Sequence, residues 1–184
     1  MGVVTLIPLR TVGMARRDTL SVPALALAAG LALGAGQALA SEAGTSARVT
    51  AARAAAIALQ RVPGGTVVDV DPGSQEGRAV WEVLVRRPDN SGLELYINAT
   101  TGVVLRQERE SLPREALGPG PVVTVQQAIA TATAAASGGR VIAIDLDTEN
   151  GRTVWEVDMA GSGGRRTISI DAATGRILKQ EPAD

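Results

Sequence analysis

The stretch Val80-Trp81-Glu82-Val83 returns unchanged, 74 residues later, as Val154-Trp155-Glu156-Val157. Trp81 and Trp155 are the only tryptophans in the chain. Apolar and polar residues alternate through both stretches, which is typical of a strand with one buried face. The stretch therefore predicts a central strand in each of two copies, with the tryptophan pointing inward and the glutamate outward.

Further matches extend the repetition in both directions. The offset falls from 74 to 73 residues after the tryptophan stretch, so we expect one residue to be lost in a loop, because a slip inside a strand would turn its side chains over. The matching pairs are Thr50 with Thr124, Gly64-Gly65 with Gly138-Gly139, Gly77-Arg78 with Gly151-Arg152, Asn98–Gly102 with Asp171–Gly175, and Leu105–Glu108 with Leu178–Glu181.

Each repeat begins with a predicted helix. Thr50 is a favourable N-cap for an alanine-rich run that Pro63-Gly64-Gly65 ends. Thr124 and Gln127 have the spacing of a capping box. Small residues on one side of each helix would let it lie close to a sheet: Ala54, Ala55 and Ala58 in the first, and Ala128, Ala132 and Ala135 in the second.

Strands of period two follow each helix, and their apolar sides define a sheet with one covered face. Asn98 and Asp171 can cap a turn, and Gly102 and Gly175 can supply its left-handed residue. We therefore predict an α+β fold of two tandem repeats, each with one helix packed on a small antiparallel sheet of three to four strands. The predicted inward residues are Val68, Val70, Trp81, Val83, Val85, Leu93, Leu95 and Ile97, and then Ile142, Ile144, Leu146, Trp155, Val157, Met159, Ile168 and Ile170.

The predicted domain boundaries follow from composition. Residues 48–110 form the first repeat and residues 123–182 the second, and residues 111–122, with three prolines, form a stiff linker. Residues 41–47 are expected to be a flexible tail. Each repeat has about 60 residues, a size at which burial is marginal, so the two are expected to pack on one another.

Residues 1–40 resemble an export signal. Arg16-Arg17 precede an uncharged run that ends in Ala38-Leu39-Ala40, the small-x-small pattern of a cleavage site. Met14 is favoured as the start because it places the arginines at the front of a 27-residue signal. An uncleaved membrane anchor is the alternative, and both the general and the twin-arginine export routes stay open. The mature chain is thus expected in the periplasm or outside the cell, without membrane attachment.

Composition excludes several classes of function. The chain has no cysteine and no histidine, which removes imidazole-activated nucleophiles, thiolates and Cys/His zinc sites. Beyond residue 40 it contains 15 basic and 18 acidic residues, a formal net charge of −3, which argues against nucleic-acid binding. No cofactor is predicted. Glu82 and Glu156 leave a glycosidase-like carboxylate pair as one enzymatic alternative.

Charged residues occupy the predicted outward sides of the strands. They are expected to form a solvated face with cross-strand charge pairs. The alternative is a calcium-type oxygen site built from Asp145, Asp147 and Glu156. The outward residues are Asp69, Asp71, Arg78, Glu82 and Arg86 in the first repeat, and Asp145, Asp147, Arg152, Glu156 and Asp158 in the second.

Both repeats resemble PepSY domains. The resemblance is carried by the helix that ends in Pro63-Gly64-Gly65, by the Val-Trp-Glu-Val strands, and by the hairpin from Asp171 to Leu178. It covers about residues 49–108 and 123–181, and it departs at Asn98, where the family usually has aspartate. It implies exported or membrane-facing modules, found also in the propeptides of secreted metallopeptidases, with no shared catalytic residue.

The sequence and the resemblance together predict an exported, non-catalytic module that binds and modulates a protein partner, with a secreted peptidase as the favoured class. An edge strand or the open face of the sheet would provide the contact. The alternative is a cell-envelope sensor, or a protein that binds a small ligand or metal in a cleft between the repeats. The sequence makes no prediction about oligomeric state.

Overall fold

The computed structural model describes residues 48–183. The predicted signal peptide (1–40) and tail (41–47) lie outside the described residues. Both repeats contain the predicted helix followed by four strands. The first contains α1 (Ala51–Arg61), β1 (Thr66–Gln75), β2 (Arg78–Arg86), β3 (Gly92–Asn98) and β4 (Val104–Glu110), and the second contains α2 (Val125–Ala135), β5 (Arg140–Glu149), β6 (Arg152–Gly161), β7 (Gly164–Asp171) and β8 (Ile177–Pro182).

The caps of both helices are those that the sequence predicts. The Thr50 side chain accepts a hydrogen bond from the backbone N–H of Arg53, and Thr124 forms a complete capping box with Gln127. After the helices, Gly64 and Gly138 have φ values of 74° and 95°, in the left-handed region that glycine adopts without a steric cost. Each helix therefore begins and ends for reasons present in the local sequence.

The eight strands form one continuous sheet in the order β4-β3-β2-β1-β5-β6-β7-β8. All neighbours are antiparallel. Strands β1 and β5 join the two repeats through the pairs Asp69 with Asp145 and Val70 with Ile144. Val70 and Ile144 are equivalent positions of the two repeats, 74 residues apart, so the central pair joins a residue to its own counterpart. The repeats are thus related by an approximate two-fold axis at this pair, and two strands that would otherwise be edges cover each other.

The repeats differ in length by one residue, and the difference lies in the turn before the third strand of each repeat. Arg87–Ser91 link β2 to β3, whereas only Ser162-Gly163 link β6 to β7. The strands on either side of the turn keep the same register in both repeats, because Trp81 pairs with Ile97 and Trp155 pairs with the equivalent Ile170. The prediction that a loop absorbs the change is confirmed.

The helices cover one face of the sheet, and both tryptophans lie in the core between them. Trp155 is fully buried and Trp81 is 8% exposed. The Trp81 indole donates a hydrogen bond to the backbone carbonyl of Val49 (2.7 Å), and the Trp155 indole donates to that of Val123 (2.8 Å). Both carbonyls precede a helix N-cap. Each tryptophan therefore fixes the start of its helix to the sheet.

The turns after β3 and β7 follow the predicted geometry. The Asn98 side-chain oxygen accepts from the N–H groups of Thr100 (2.9 Å) and Thr101 (2.8 Å), and Asp171 makes the equivalent contacts. Gly102 and Gly175 both have a φ of 75°. The asparagine of the first repeat thus preserves the turn.

A β-bulge between Val141 and Ala143 corrects one inward prediction. Val141, rather than Ile142, pairs with the buried Met159 and packs against the core. The extra residue of a bulge changes the side to which its neighbours point. Val141 and Ile142 are both half-buried, and of the two Val141 packs against the core.

The linker lies against the sheet. It contains a short 3-10 helix, Arg114–Leu117, that packs on β5, and its Ala116 is fully buried. The Arg86 guanidinium donates to the Gly118 carbonyl (2.8 Å). In the described part of the chain, no helix is long and apolar enough to cross a membrane.

We expect Trp155→Phe to lower the free energy of unfolding by about 1–3 kcal/mol, because it leaves the Val123 carbonyl without its indole donor and removes buried volume. Trp81→Phe should cost less, since its site is slightly exposed. Urea denaturation followed by far-UV circular dichroism measures both. Leu178→Ala, at a 43% exposed position, is the control and should change stability by less than about 0.5 kcal/mol. An unchanged midpoint for Trp155→Phe would contradict the tethering role.

Candidate functional site

The face of the sheet opposite the helices carries a row of directly paired side chains across all eight strands. The strand register places acidic residues at five of its eight positions, and Leu84, Ser169 and Lys179 occupy the others. In order from β4 to β8, the row is Glu108, Glu94, Leu84, Asp69, Asp145, Glu156, Ser169 and Lys179. We call this surface the acidic face.

The prediction of cross-strand pairs of opposite charge is wrong for the centre of this face. Asp69 lies opposite Asp145, and Asp145 lies opposite Glu156, so acid faces acid. The two ion pairs among the described residues, Arg106 with Glu108 and Lys179 with Glu181, lie within the edge strands β4 and β8. The middle of the face therefore has a high density of carboxyl groups.

Asp69 and Asp145 lie where the two repeats join. Their neighbour Leu84 points to the same face and is nearly buried, in one cluster with Ala116 of the linker. One carboxylate oxygen of Asp69, Oδ1, is buried and has no hydrogen-bond partner among the described residues. A buried carboxylate without a partner has a large desolvation cost, which favours its protonated form.

Burial is the largest cause of the altered acidity at this junction. Burial, together with the smaller effects of the negative charges of Asp71, Asp145, Glu94 and Glu82, raises the pKa of Asp69 to about 8. Asp69 therefore keeps its proton near neutral pH.

Asp145 behaves similarly. Burial, together with the smaller effects of the charges of Glu156, Asp71, Asp147 and Asp158, raises its pKa to about 7. The protonation of the junction therefore changes near neutral pH.

The two glutamates of the repeated tetrapeptide occupy equivalent positions on the same face. Burial, followed by neighbouring acidic charges, raises the pKa of both Glu82 and Glu156. The Glu82 side chain lies over Gly73, where an added Cβ would be 2.0 Å from its Oε1. The absence of a side chain at Gly73 therefore makes room for the glutamate.

A second group of polar side chains occupies the acidic face at β3 and β4. The Tyr96 hydroxyl lies 2.5 Å from Glu94 Oε2 and 2.9 Å from Glu108 Oε1. Hydrogen bonding to these carboxylates raises the pKa of Tyr96. The Arg106 guanidinium pairs with Glu108 and lies 5.3 Å from the centre of the Tyr96 ring. These contacts neutralise part of the charge at this end of the face.

The three calcium candidates lie on the acidic face. Asp145 and Glu156 are neighbours across β5 and β6, and Asp147 is two residues further along β5. Among residues 48–183, no group of three or more acidic, histidine or cysteine side chains is arranged to hold a metal ion. The structure therefore adds no support to the calcium hypothesis.

The carboxylate pair of the enzymatic hypothesis is too far apart. Glu82 is on β2 and Glu156 is on β6, with β1 and β5 between them. Three strand spacings of 4.7–4.9 Å, with an additional offset of two residues along the strands, separate them by at least about 14 Å. A glycosidase needs its two carboxylates at about 5–9.5 Å. These glutamates cannot act as such a pair.

The pairing of Asp69 with Asp145 was not predicted from the sequence. The alternation of Asp69, Val70 and Asp71 places both aspartates on the outward side, and Ala143, Ile144 and Asp145 repeat the pattern with one acid. The sequence contains no signal that β1 and β5 are neighbours. Only the joining of the repeats brings the acids together.

We expect the stability of the protein to fall as pH rises from about 4 to about 8. Above about pH 4 Asp69 and Asp145 are ionised in the unfolded chain, where the pKa of aspartate is about 3.9. In the folded chain they keep their protons until the pH approaches about 8 for Asp69 and about 7 for Asp145. The folded state then binds more protons, and stability falls with pH. Asp69→Asn should reduce this slope and be more stable than the wild type at pH 8, by about 1–3 kcal/mol.

Urea denaturation between pH 5 and pH 8.5 measures the effect. Glu110→Gln, at an exposed position of β4 whose charge does not contribute to the raised pKa of Asp69 or Asp145, is the matched control and should follow the wild-type profile. A profile for Asp69→Asn that runs parallel to the wild type would contradict the assignment.

The family comparison matches both repeats. The model described as "Peptidase propeptide and YPEB domain", PepSY, matches residues 48–108 and 122–181. Together these ranges cover well over half of the chain.

A related protein and two solved structures each match between 71% and 74% of this chain. The uncharacterized protein YkoJ of Bacillus subtilis strain 168 is 29% identical over 137 residues, which cover 74% of this chain and 76% of YkoJ. A crystal structure from Clostridium difficile 630 has 24% identity and a TM-score of 0.41, covering 72% of this chain and 92% of that one. The YpmB protein of Bacillus subtilis has 19% identity and a TM-score of 0.32, covering 71% and 94%. The family match itself decides the classification: the chain belongs to the PepSY family, with two copies of the domain in tandem.

Proposed function

We propose that this chain is an exported, non-catalytic module that binds a protein partner through the acidic face and modulates it. The observation that carries the proposal is that both repeats contribute exposed or half-buried carboxylates to the same face of one sheet. The helices and the core occupy the other side of the sheet. The parts of the acidic face that the linker leaves uncovered therefore remain for a partner.

Charge determines the kind of partner surface that fits. The face carries exposed or half-buried carboxylates in both repeats, including Asp71, Glu82, Asp147, Glu156 and Asp158. A partner with clustered lysine and arginine residues would be attracted to it and oriented by it. Such a complex weakens as salt is added, because the interacting charges are screened.

The two outer strands of the sheet fit a partner less well. Strand β4 carries Arg106, Glu108, Arg109 and Glu110, and β8 ends at Pro182. Charged residues and proline on edge strands oppose the addition of another strand. Docking on the face is thus favoured over strand addition.

A secreted peptidase is the favoured class of partner. The family description connects the domain with peptidase propeptides. A propeptide-like module that acts on a separate peptidase would have to meet it in the same compartment. The signal-like residues 1–40 support an encounter in the periplasm or outside the cell.

The test compares two variants of the full chain. Glu82→Gln with Glu156→Gln removes the equivalent carboxylates of both repeats from the acidic face. Glu76→Gln with Glu115→Gln removes the same charge from the β1–β2 turn and the linker. Each protein, with a purification tag, is used to capture partners from the envelope and medium of the producing organism.

We expect the wild type and the turn-and-linker variant to capture the same protein, and the face variant to capture at least about tenfold less, since each buried charge contact contributes more than about 1.4 kcal/mol. The purified partner should show peptidase activity that changes when the wild-type chain is added. Equal capture by all three proteins would exclude the acidic face as the binding surface. Loss of capture without any effect on peptidase activity would contradict the assigned partner class.

A further inference from the structure

A separate cavity lies on the helix side of the sheet, where the two repeats meet. It has a volume of about 520 Å³, within the range of about 300–1,000 Å³ that is typical of small-molecule sites. The first repeat contributes Ala52 and Trp81 to its walls, and the second contributes Ile129 and Val141. Both repeats are thus needed to form it.

The polar groups of the walls are already engaged inside the protein. The Trp81 indole donates to the Val49 carbonyl (2.7 Å), and the Thr133 hydroxyl donates to the Ile129 carbonyl (2.7 Å). The walls therefore offer an apolar lining rather than free hydrogen-bonding groups. An apolar molecular body is the chemistry that such walls accept.

Two arginines line the same cavity, one from each repeat. Arg48 precedes α1 and Arg140 begins β5, and both are exposed. Neither forms an ion pair in the described part of the chain. The first turn of α1, at the cavity, has no acidic residue and adds the positive end of the helix dipole. The cavity thus combines apolar walls with two arginines that pair with no carboxylate among residues 48–183.

We propose that this cavity binds a small amphipathic carboxylate, with its aliphatic body against the walls and its carboxylate at Arg48 and Arg140. Guanidinium groups form strong charge-assisted hydrogen bonds with carboxylates. The site lies on the opposite side of the sheet from the acidic face. It is therefore independent of the proposed protein partner, and either proposal can fail without the other.

The two tryptophans of the chain provide the measurement. Trp81 lines the cavity, whereas Trp155 is fully buried elsewhere in the core. Octanoate added to the full chain should change the tryptophan emission and saturate below millimolar concentration. Octanol and octylammonium, which have the same body with no charge or the opposite charge, should bind at least tenfold more weakly.

Three variants locate the effect. Arg48→Gln with Arg140→Gln should weaken octanoate binding at least tenfold, whereas Arg78→Gln with Arg109→Gln, which removes the same charge away from the cavity, should leave it unchanged. Ala52→Leu keeps both arginines but fills the cavity, and it should also weaken binding. Far-UV circular dichroism confirms that each variant is folded.

Three outcomes would overturn the proposal. They are the absence of a saturable emission change below millimolar octanoate, equal affinity for octanol, and undiminished binding by the folded Arg48→Gln and Arg140→Gln variant. Because isothermal calorimetry measures octanoate binding without fluorescence, it provides the readout for any variant whose tryptophan emission is already altered.

Discussion

The pairing of Val70 with Ile144 joins two small repeats into one sheet, and the other features of the molecule depend on it. Each repeat alone would have about 60 residues and two exposed sheet edges, a size and a shape that give marginal stability. When β1 lies beside β5, one edge of each repeat is covered by the equivalent edge of the other. The helices then lie on the same side of a sheet of eight strands, and the opposite side becomes a single surface.

That arrangement places the apolar core on one side of the sheet and the acidic residues on the other. On the helix side, alanines such as Ala54, Ala58, Ala128 and Ala132 are fully buried, and they let the helices approach the sheet closely. Alanine contributes little buried area, so the tryptophans and the branched residues of the strands supply most of the burial. On the other side, the same pairing places Asp69 against Asp145. The contact that completes the core therefore also creates the least favourable electrostatic site of the molecule.

Much of the fold could be predicted from the sequence because its causes are local. The threonine caps, the asparagine and aspartate turns and the alternation of the strands are each specified within a few residues, and the structure confirms them. The bulge that exchanges Val141 for Ile142 was missed, since the alternation of apolar residues continues through it. The junction of β1 with β5 was also missed, because it depends on how two finished repeats pack rather than on any short stretch.

In the candidate sites, too, the local features could be predicted from the sequence, whereas those that depend on the junction of the repeats could not. The outward direction of Glu82, Glu156 and Asp145 was predictable from parity alone. Their like-charge surroundings and the burial of Asp69 were not, since both depend on the neighbouring strand and on the linker. The cavity lined by Trp81 and Ile129 likewise exists only between the repeats. Sequence periodicity therefore assigns each residue to a side of the sheet, whereas the junction determines what it contacts.

A disulfide across the junction tests the central claim most directly, because the chain has no cysteine of its own. In antiparallel pairs the Cα atoms lie about 4.5–5.5 Å apart, which a disulfide can span. Asp69→Cys with Asp145→Cys should form an intramolecular disulfide in the folded monomer under mild oxidation, with an unchanged circular dichroism spectrum. Asp69→Cys with Glu156→Cys, one strand further away at about 10 Å, should stay reduced. Free thiols in the first variant under the same conditions would contradict the pairing of β1 with β5.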